Sequence, residues 1–318
     1  MPMPDPYRQY NTNPASLIDA HVAAYMSWYE AAVVLYLVAA LVFAGYWFFR
    51  SWTPIGAGIV LASLGIVAQT ISLGVRWHFS GHVPWNDLYG SLSVVALFTA
   101  VLFLIFGVRY RIWFAAPLAF VFADALLAYA KGWNKGLEPL VPSLQSSWIY
   151  IHVPVVLASY AAFLIGCVLS IMYLFKKADE DRMLAVAGRS VGAAVSSQTA
   201  DLGIARPWWL GWLEVVPPSS KLDVAAYRVN SIGEILLTAG IILGALWAHV
   251  SWGSYWQWDP KETAALTNWI VYAMYVHLHT RPSMRGSVTA WISIIGFLTV
   301  LFSYFAVNIV ISGLHSYK

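Results

Sequence analysis

Charged side chains are scarce, at 10% of 318 residues, while 60% are hydrophobic. Soluble domains carry roughly 25% charged residues. The shortage excludes an ordinary water-soluble domain and points to a chain that crosses a membrane several times. Cysteine is scarcer still. Cys167 is the single one and sits in an apolar run. It cannot form an internal disulfide, and with no CxxC the chain itself does no dithiol chemistry. There is no phosphate loop, no convincing internal repeat and no basic stripe fit for nucleic acid, so no nucleic-acid partner is expected. The first 28 residues are polar and proline-rich. They lack a basic start, an apolar core region and a small-residue cleavage site, so no cleaved signal peptide is expected.

Long apolar runs are abundant. A spanning helix needs about 20 mostly apolar residues. Candidates are 29–49, 54–75, 90–108, 112–130, 149–175, 229–249, 264–280 and 287–310. Proline and polar interruptions are tolerated where neighbouring helices satisfy the backbone. The fourth run, with Pro117 and Asp124, has the weakest pattern. The fold class expected is all-α, a polytopic integral membrane bundle of about eight transmembrane helices. Its parts are an outer tail (1–28), a five-helix part (29–175), a cytoplasmic loop (176–228) and a three-helix part (229–318). "KKADEDR" at the start of 176–228 reads as a solvated charge cluster, and "GRSVGAAVSSQTADLG" as a flexible linker.

Lysine and arginine set the sidedness. One set of connections holds Arg50, Arg109, Arg111, Arg281 and Arg285, with Lys176, Lys177 and Arg228 flanking spans. The other holds Arg8, Arg76, Lys131, Lys135, Lys261 and Lys318. The short loops are nearly balanced, so the assignment rests on Lys176, Lys177 and Arg228, which mark the cytoplasmic side. Both termini and the stretch "WGSYWQWDPKET", Trp252 to Thr263, then face outward.

That stretch has two halves. Asp259-Pro260-Lys261-Glu262 reads as a helix start, with Asp at the N-cap, Pro at the first helical position and Glu reaching back. Ahead of it Trp247, Trp252, Tyr255, Trp256 and Trp258 crowd together, with Trp269 beyond. One or two such rings would read as an interfacial aromatic belt. This density suits walls around a large flat ligand. Lys261 or Arg76 then stands ready for that ligand's acidic groups, unless it is ordinary interfacial charge.

The histidines sort by side. His21, His78, His82, His152, His249 and His315 fall outside, whereas His277 and His279 lie deep in the seventh span. His152 and His315 occupy outer helix ends flanking the aromatic loop. Two imidazoles on opposite sides of a flat platform suggest axial ligation of haem iron. Zinc competes, but Cys or carboxylate partners at suitable spacing are missing. A single outer histidine would read as an interfacial polar residue. His277 is about 21 Å down a helix rising 1.5 Å per residue, which is the inner leaflet, and an ionisable residue there is a functional candidate. His279 lies roughly 200° around the helix from it and is expected to reach the inner interface near Arg281.

"WAHVSWGSYWQWDPKETAALTNWIVYAMYVHLHTR" resembles the tryptophan-rich WWD signature of haem-handling proteins, most closely the CcsA (ResC) type of System II cytochrome c biogenesis. "RWHFSGHVPWNDLYGSL" at 76–92, "LQSSWIYIHVPVVLASYAAFLIG" at 144–166 and the C-terminal "YFAVNIVISGLHSYK" resemble the same family. The resemblance implies haem b as cargo, a CcsB (ResB) type membrane partner and apocytochrome c with a CxxCH site as acceptor. It implies export of haem and thioether formation at an outer or lumenal face, in a bacterial plasma or thylakoid membrane. Lipid and a thiol-reducing, thioredoxin-like protein are further partners on this reading. Residue by residue, it implies His152 and His315 as outer axial ligands and His277 as the intramembrane haem histidine, whose second ligand the partner supplies. Trp252, Trp256, Trp258 and Asp259 match the WWD core, with Tyr255, Lys261, Arg76 and His82 as further haem-site residues. Two departures stand out. Ala264 replaces an aromatic usual after "KET", and His249 stands where Asn or Glu is common. Ala264 removes one haem wall, and His249 adds a spare ligand. Two rival functions remain: a quinone-linked membrane cytochrome b, and a haem transporter or chaperone without synthase activity.

Overall fold

The computed structural model describes residues 14–137, 145–194 and 208–309. The helices run α1 (Pro14–Phe49), α2 (Trp52–Ser80), α3 (Leu88–Tyr110), α4 (Ala116–Lys131), α5 (His152–Ala194), α6 (Ser219–Trp252), α7 (Pro260–His279) and α8 (Ser287–Ile309). Short 3-10 turns occupy Trp113–Ala115, Ser147–Tyr150 and Trp208–Glu214. No strand occurs among the described residues. Each expected span lies mainly within one helix, and the protein is an all-helical polytopic membrane protein. Among the described residues, seven helices are long and apolar enough to cross a membrane. The other is α7, whose 20 residues would rise about 30 Å but include Lys261, Glu262, Asn268, two histidines and two threonines.

Helices outrun the expected spans at their polar ends, because intrahelical hydrogen bonds continue wherever the backbone stays helical, whether or not lipid surrounds it. Thus α1 begins at Pro14 within the polar tail, and α5 runs for 43 residues. The "KKADEDR" cluster is therefore helical, and it is not simply solvated. Asp179 is buried. Glu180 accepts hydrogen bonds from the Ser219 backbone N–H at 3.0 Å and its hydroxyl at 2.5 Å, which anchors the first turn of α6. Lys176 donates to the Leu213 carbonyl at 2.8 Å. Of the expected linker, 188–194 continues α5, and 195–203 lies outside the described residues. Pro117 sits in the first turn of α4, where its missing N–H would lack a helical partner anyway.

At the tryptophan-loop end, Arg76 fastens α2 to α3. It is 3% exposed. Its Nη1 donates to the Pro84 carbonyl at 3.0 Å and to Asp87 Oδ1 at 3.1 Å, while Nη2 donates to Asp87 Oδ2 at 2.5 Å. The guanidinium lies 4.7 Å from the centre of the Tyr89 ring. Asp87 also caps α3, accepting the Gly90 N–H at 2.7 Å. Gly90 is required there, since a Cβ would fall 1.5 Å from the Pro84 oxygen. Trp85 ties the same loop to the 3-10 turn ahead of α5, donating from Nε1 to the Ile149 carbonyl at 3.0 Å.

Arg76→Ala removes the buried partner of a half-buried, doubly hydrogen-bonded pair and is expected to cost about 2 kcal/mol. Lys131→Ala breaks an ion pair with Glu30 that is more than half exposed on both sides and should cost under ~1 kcal/mol. Melting of the purified variants in detergent checks the contrast, and equal losses would contradict it.

Candidate functional site

A cavity of about 260 Å³ opens at this same end, between α3, α5, α6, α7 and α8. Its walls include Trp85, Trp247, Tyr255 and Trp256. Its charged lining comes from Asp87, Lys261 and Glu262, and its depths carry Ser91, Tyr160 and Tyr304. The Tyr304 hydroxyl is 2.5 Å from Ser91 Oγ, joining α8 to α3 across the site.

His152 enters this cavity from the first turn of α5. Its Nδ1 lies 2.9 Å from the Gly240 carbonyl. A carbonyl only accepts, so Nδ1 carries the proton and the lone pair is on Nε2, the arrangement of a metal-ligating imidazole oriented by a backbone carbonyl. The helices approach closely enough for this because α6 is bare where it meets α5. A Cβ at Gly240 would fall 2.6 Å from Val156 Cγ2, and one at Gly244 2.8 Å from His152 Cε1. The Trp247 ring stands 5.5 Å from the imidazole.

The tryptophan loop is held by the start of α7. Asp259 caps the helix, with Pro260 in its first turn, and the reciprocal capping box with Glu262 is formed. Glu262 does more than the sequence pattern requires. One carboxylate oxygen accepts from the Gln257 N–H at 2.8 Å and the Asp259 N–H at 3.2 Å. These two donors bracket Trp258, whose φ is +56°. A bulky residue rarely adopts that left-handed conformation, and here both flanking N–H groups converge on one oxygen. Trp258 is exposed and meets Trp256 edge-on at 5.7 Å.

Of the residues expected from sequence, the structure brings His152, Tyr255, Trp256 and Lys261 together around the cavity. Trp252 stands behind, stacked on Trp247 at 6.4 Å. Asp259 serves as the cap. Arg76 is not in the lining, being engaged with Asp87, which is. His82 Nδ1 lies 3.2 Å from the Val83 carbonyl, also outside the lining. His249 packs flat on Tyr255 at 4.2 Å. Ala264 lines the wall, leaving room where an aromatic side chain would stand. His315 lies outside the described residues.

His277 and His279 sit at the opposite end of α7. His277 is exposed in its last turn, with Arg281 Nη2 3.4 Å from its Nε2. His279 does not reach out to the interface as expected. It is 5% exposed, bonded through Nε2 to Asp223 at 3.0 Å and stacked on Tyr227 at 4.1 Å. A step of two residues, about 200° around the helix, points one histidine outward and the other between α6 and α7.

Sequence reasoning missed Trp85, Tyr160, Tyr304, Ser91 and the second task of Glu262. A helical repeat would have found Tyr160, since 152, 156 and 160 lie one turn apart on one face of α5. Nothing in the spacing signals the α3–α8 meeting of Ser91 and Tyr304.

A family model described as Cytochrome C assembly protein matches residues 85–315, so the chain belongs to that family. Within it the chain is of the CcsA type. The Cytochrome c biogenesis protein CcsA of Synechococcus sp. (strain CC9605) is 33% identical over 296 residues, covering 88% of this chain and 96% of that protein. The CcsA proteins of Synechococcus elongatus (strain ATCC 33912 / PCC 7942 / FACHB-805) and Mesostigma viride are 37% and 35% identical, covering 82% and 81% of this chain and 86% of each relative. Among solved structures, Cytochrome c Heme Lyase CcmF shares the fold at a TM-score of 0.54 and 16% identity, covering 96% of this chain and 49% of that one.

Burial pushes the Lys261 ammonium down to about 8, against the opposing pull of Asp259. Between about pH 8 and ~10.4 the unfolded chain therefore binds more protons at this residue than the folded one. Stability of the wild type relative to Lys261→Met should rise across that window. Parallel melting profiles from pH 7 to pH 10 would contradict it.

Proposed function

We propose that this chain, with a CcsB (ResB) type partner, carries haem b across the membrane and holds it in the tryptophan-walled cavity. There it presents the haem to apocytochrome c for attachment at CxxCH. The observation that carries this reading is His152. Its ring projects into an aromatic cavity, its tautomer is set by the Gly240 carbonyl, and Gly244 leaves room for the imidazole. His315 is the proposed second outer ligand. Bis-histidine ligation fills both axial positions and suppresses oxygen chemistry at the iron. Trp247, Tyr255 and Trp256 act as walls that set the porphyrin's rotation. Lys261 meets a haem propionate, whose charge favours the protonated amine.

The chemistry itself is an addition. Each acceptor thiol adds across a vinyl C=C: sulfur bonds to the carbon next to the ring and hydrogen to the terminal carbon. Nothing leaves, and no net electrons are needed. Both thiols come from the acceptor, as Cys167 is buried in α5. The cavity's contribution is positioning, since a held geometry removes entropy from the barrier. The acceptor's own histidine then displaces one ligand and releases the product.

His277 is the proposed station before the cavity. It is exposed on α7, where a partner helix can bring a second histidine. The tryptophan loop lies on the outer, periplasmic or lumenal side in this scheme, with the arginine-rich end of the bundle in the cytoplasm.

Purified with its partner, the protein should show a bis-histidine haem b spectrum, and a CxxCH acceptor should gain covalent haem. His152→Ala and His315→Ala should each abolish attachment, with added imidazole restoring part of it. Gly244→Ala displaces the imidazole without removing it and should lower haem retention about 10–100-fold, as disturbed orientation does at other metal sites. If both histidine variants keep the spectrum and the attachment activity, the ligand assignment fails. A redox-cycling haem without acceptor labelling would favour a membrane cytochrome b.

A further inference from the structure

At the end of the bundle away from the tryptophan loop, a groove of about 340 Å³ lies between α6 and the end of α7. Val224, Tyr227, Arg228, His279, Thr280 and Arg285 line it. Its floor is rigid. His279 is clamped by Asp223 and stacked on Tyr227, and Arg285 Nε donates to the His279 carbonyl at 2.7 Å. The carboxylate of Asp223 is thus taken by His279. Arg228 rests over the Tyr110 ring, 5.5 Å from its centre. That ring contact leaves the guanidinium's hydrogen-bonding edge to other partners. Both arginines are exposed.

Beyond the groove, α6 carries an exposed apolar track. Ile235 and Ile242 follow Arg228 toward the far end of α6, and both are more than half exposed. They are seven residues apart, so they share a face of the helix. A cation pair at one level, with bare aliphatic side chains running from it along a spanning helix, matches an amphiphile whose head is an acid and whose tail is hydrocarbon. A planar ligand would need facing aromatic walls, whereas here Tyr227 and His279 stack on each other and offer no slot.

We propose that this groove binds an acidic phospholipid, with its phosphodiester between Arg228 and Arg285 and one acyl chain along Ile235 and Ile242. Basic pockets between spanning helices take anionic headgroups in this way, each cation contributing independently to the attraction. The site is separate from the haem cavity and does not depend on the haem reading.

The full chain in detergent is titrated with phosphatidylglycerol or phosphatidylcholine and followed by native mass spectrometry. The wild type should bind phosphatidylglycerol in preference to phosphatidylcholine. R228Q/R285Q should bind it about 30-fold more weakly, the product of two contributions of the usual size. R228K/R285K keeps both charges and should stay within a few-fold of wild type, which separates charge from damage to the fold. Equal affinity for the two lipids, or undiminished binding by the glutamine variant, overturns the proposal. So does displacement of the lipid by millimolar inorganic phosphate, which would mean that a free anion is the occupant, or by haemin, which would assign the groove to porphyrin acids.

Discussion

The His152 cavity depends on how closely α6 lies against α5. Two glycines one turn apart, Gly240 and Gly244, let the helices meet where a Cβ would strike Val156 or His152. The same approach brings the Gly240 carbonyl to the His152 Nδ1. Packing and imidazole orientation are therefore one event. The carbonyl of Gly240 is already an acceptor within a helix, and its second lone pair orients the imidazole. A larger residue at either position would separate the helices, move the histidine and change its tautomer control together.

Two further restraints converge on that cavity. The Arg76–Asp87 clamp holds the α2–α3 loop, which supplies Trp85 and Asp87 to the wall. The capping box of α7 holds the tryptophan loop, and Glu262 fixes the strained turn at Trp258. Each restraint is a charge-assisted hydrogen-bond set near the end of an apolar bundle, where such bonds are strong. This answers why a chain poor in charge gathers some of it beside its largest rings. The charges build the frame, and the rings line the space within it.

Much of the fold was legible because lipid imposes one rule, long apolar helices with polar ends, and seven of the eight runs obey it, α7 being the more polar exception. The α7 start was legible too, since Asp-Pro-Lys-Glu encodes its own hydrogen bonds. Contacts distant in sequence were not. Arg76 looked like a cation for a ligand, but its acceptors, Pro84 and Asp87, become visible only once the loop folds back. His279 looked interfacial, but its partners Asp223 and Tyr227 sit on another helix. The "KKADEDR" segment looked solvated because Glu180 finds its partner, Ser219, 39 residues on. Within the site, local motifs identified His152 and the tryptophans, while the cavity's depth, where Tyr160 meets Tyr304 at 6.3 Å, comes from helix packing alone.

The central claim is that His152 binds haem iron through Nε2 while Gly240 holds its Nδ1. The most direct measurement is an experimental structure of the haem-loaded complex with its partner. The account predicts iron about 2 Å from His152 Nε2, as for other imidazole–metal bonds, with the Nδ1–Gly240 hydrogen bond retained and Trp247, Tyr255 and Trp256 against the porphyrin. Iron held by His249 or His82, or a porphyrin lying outside the cavity, would contradict it.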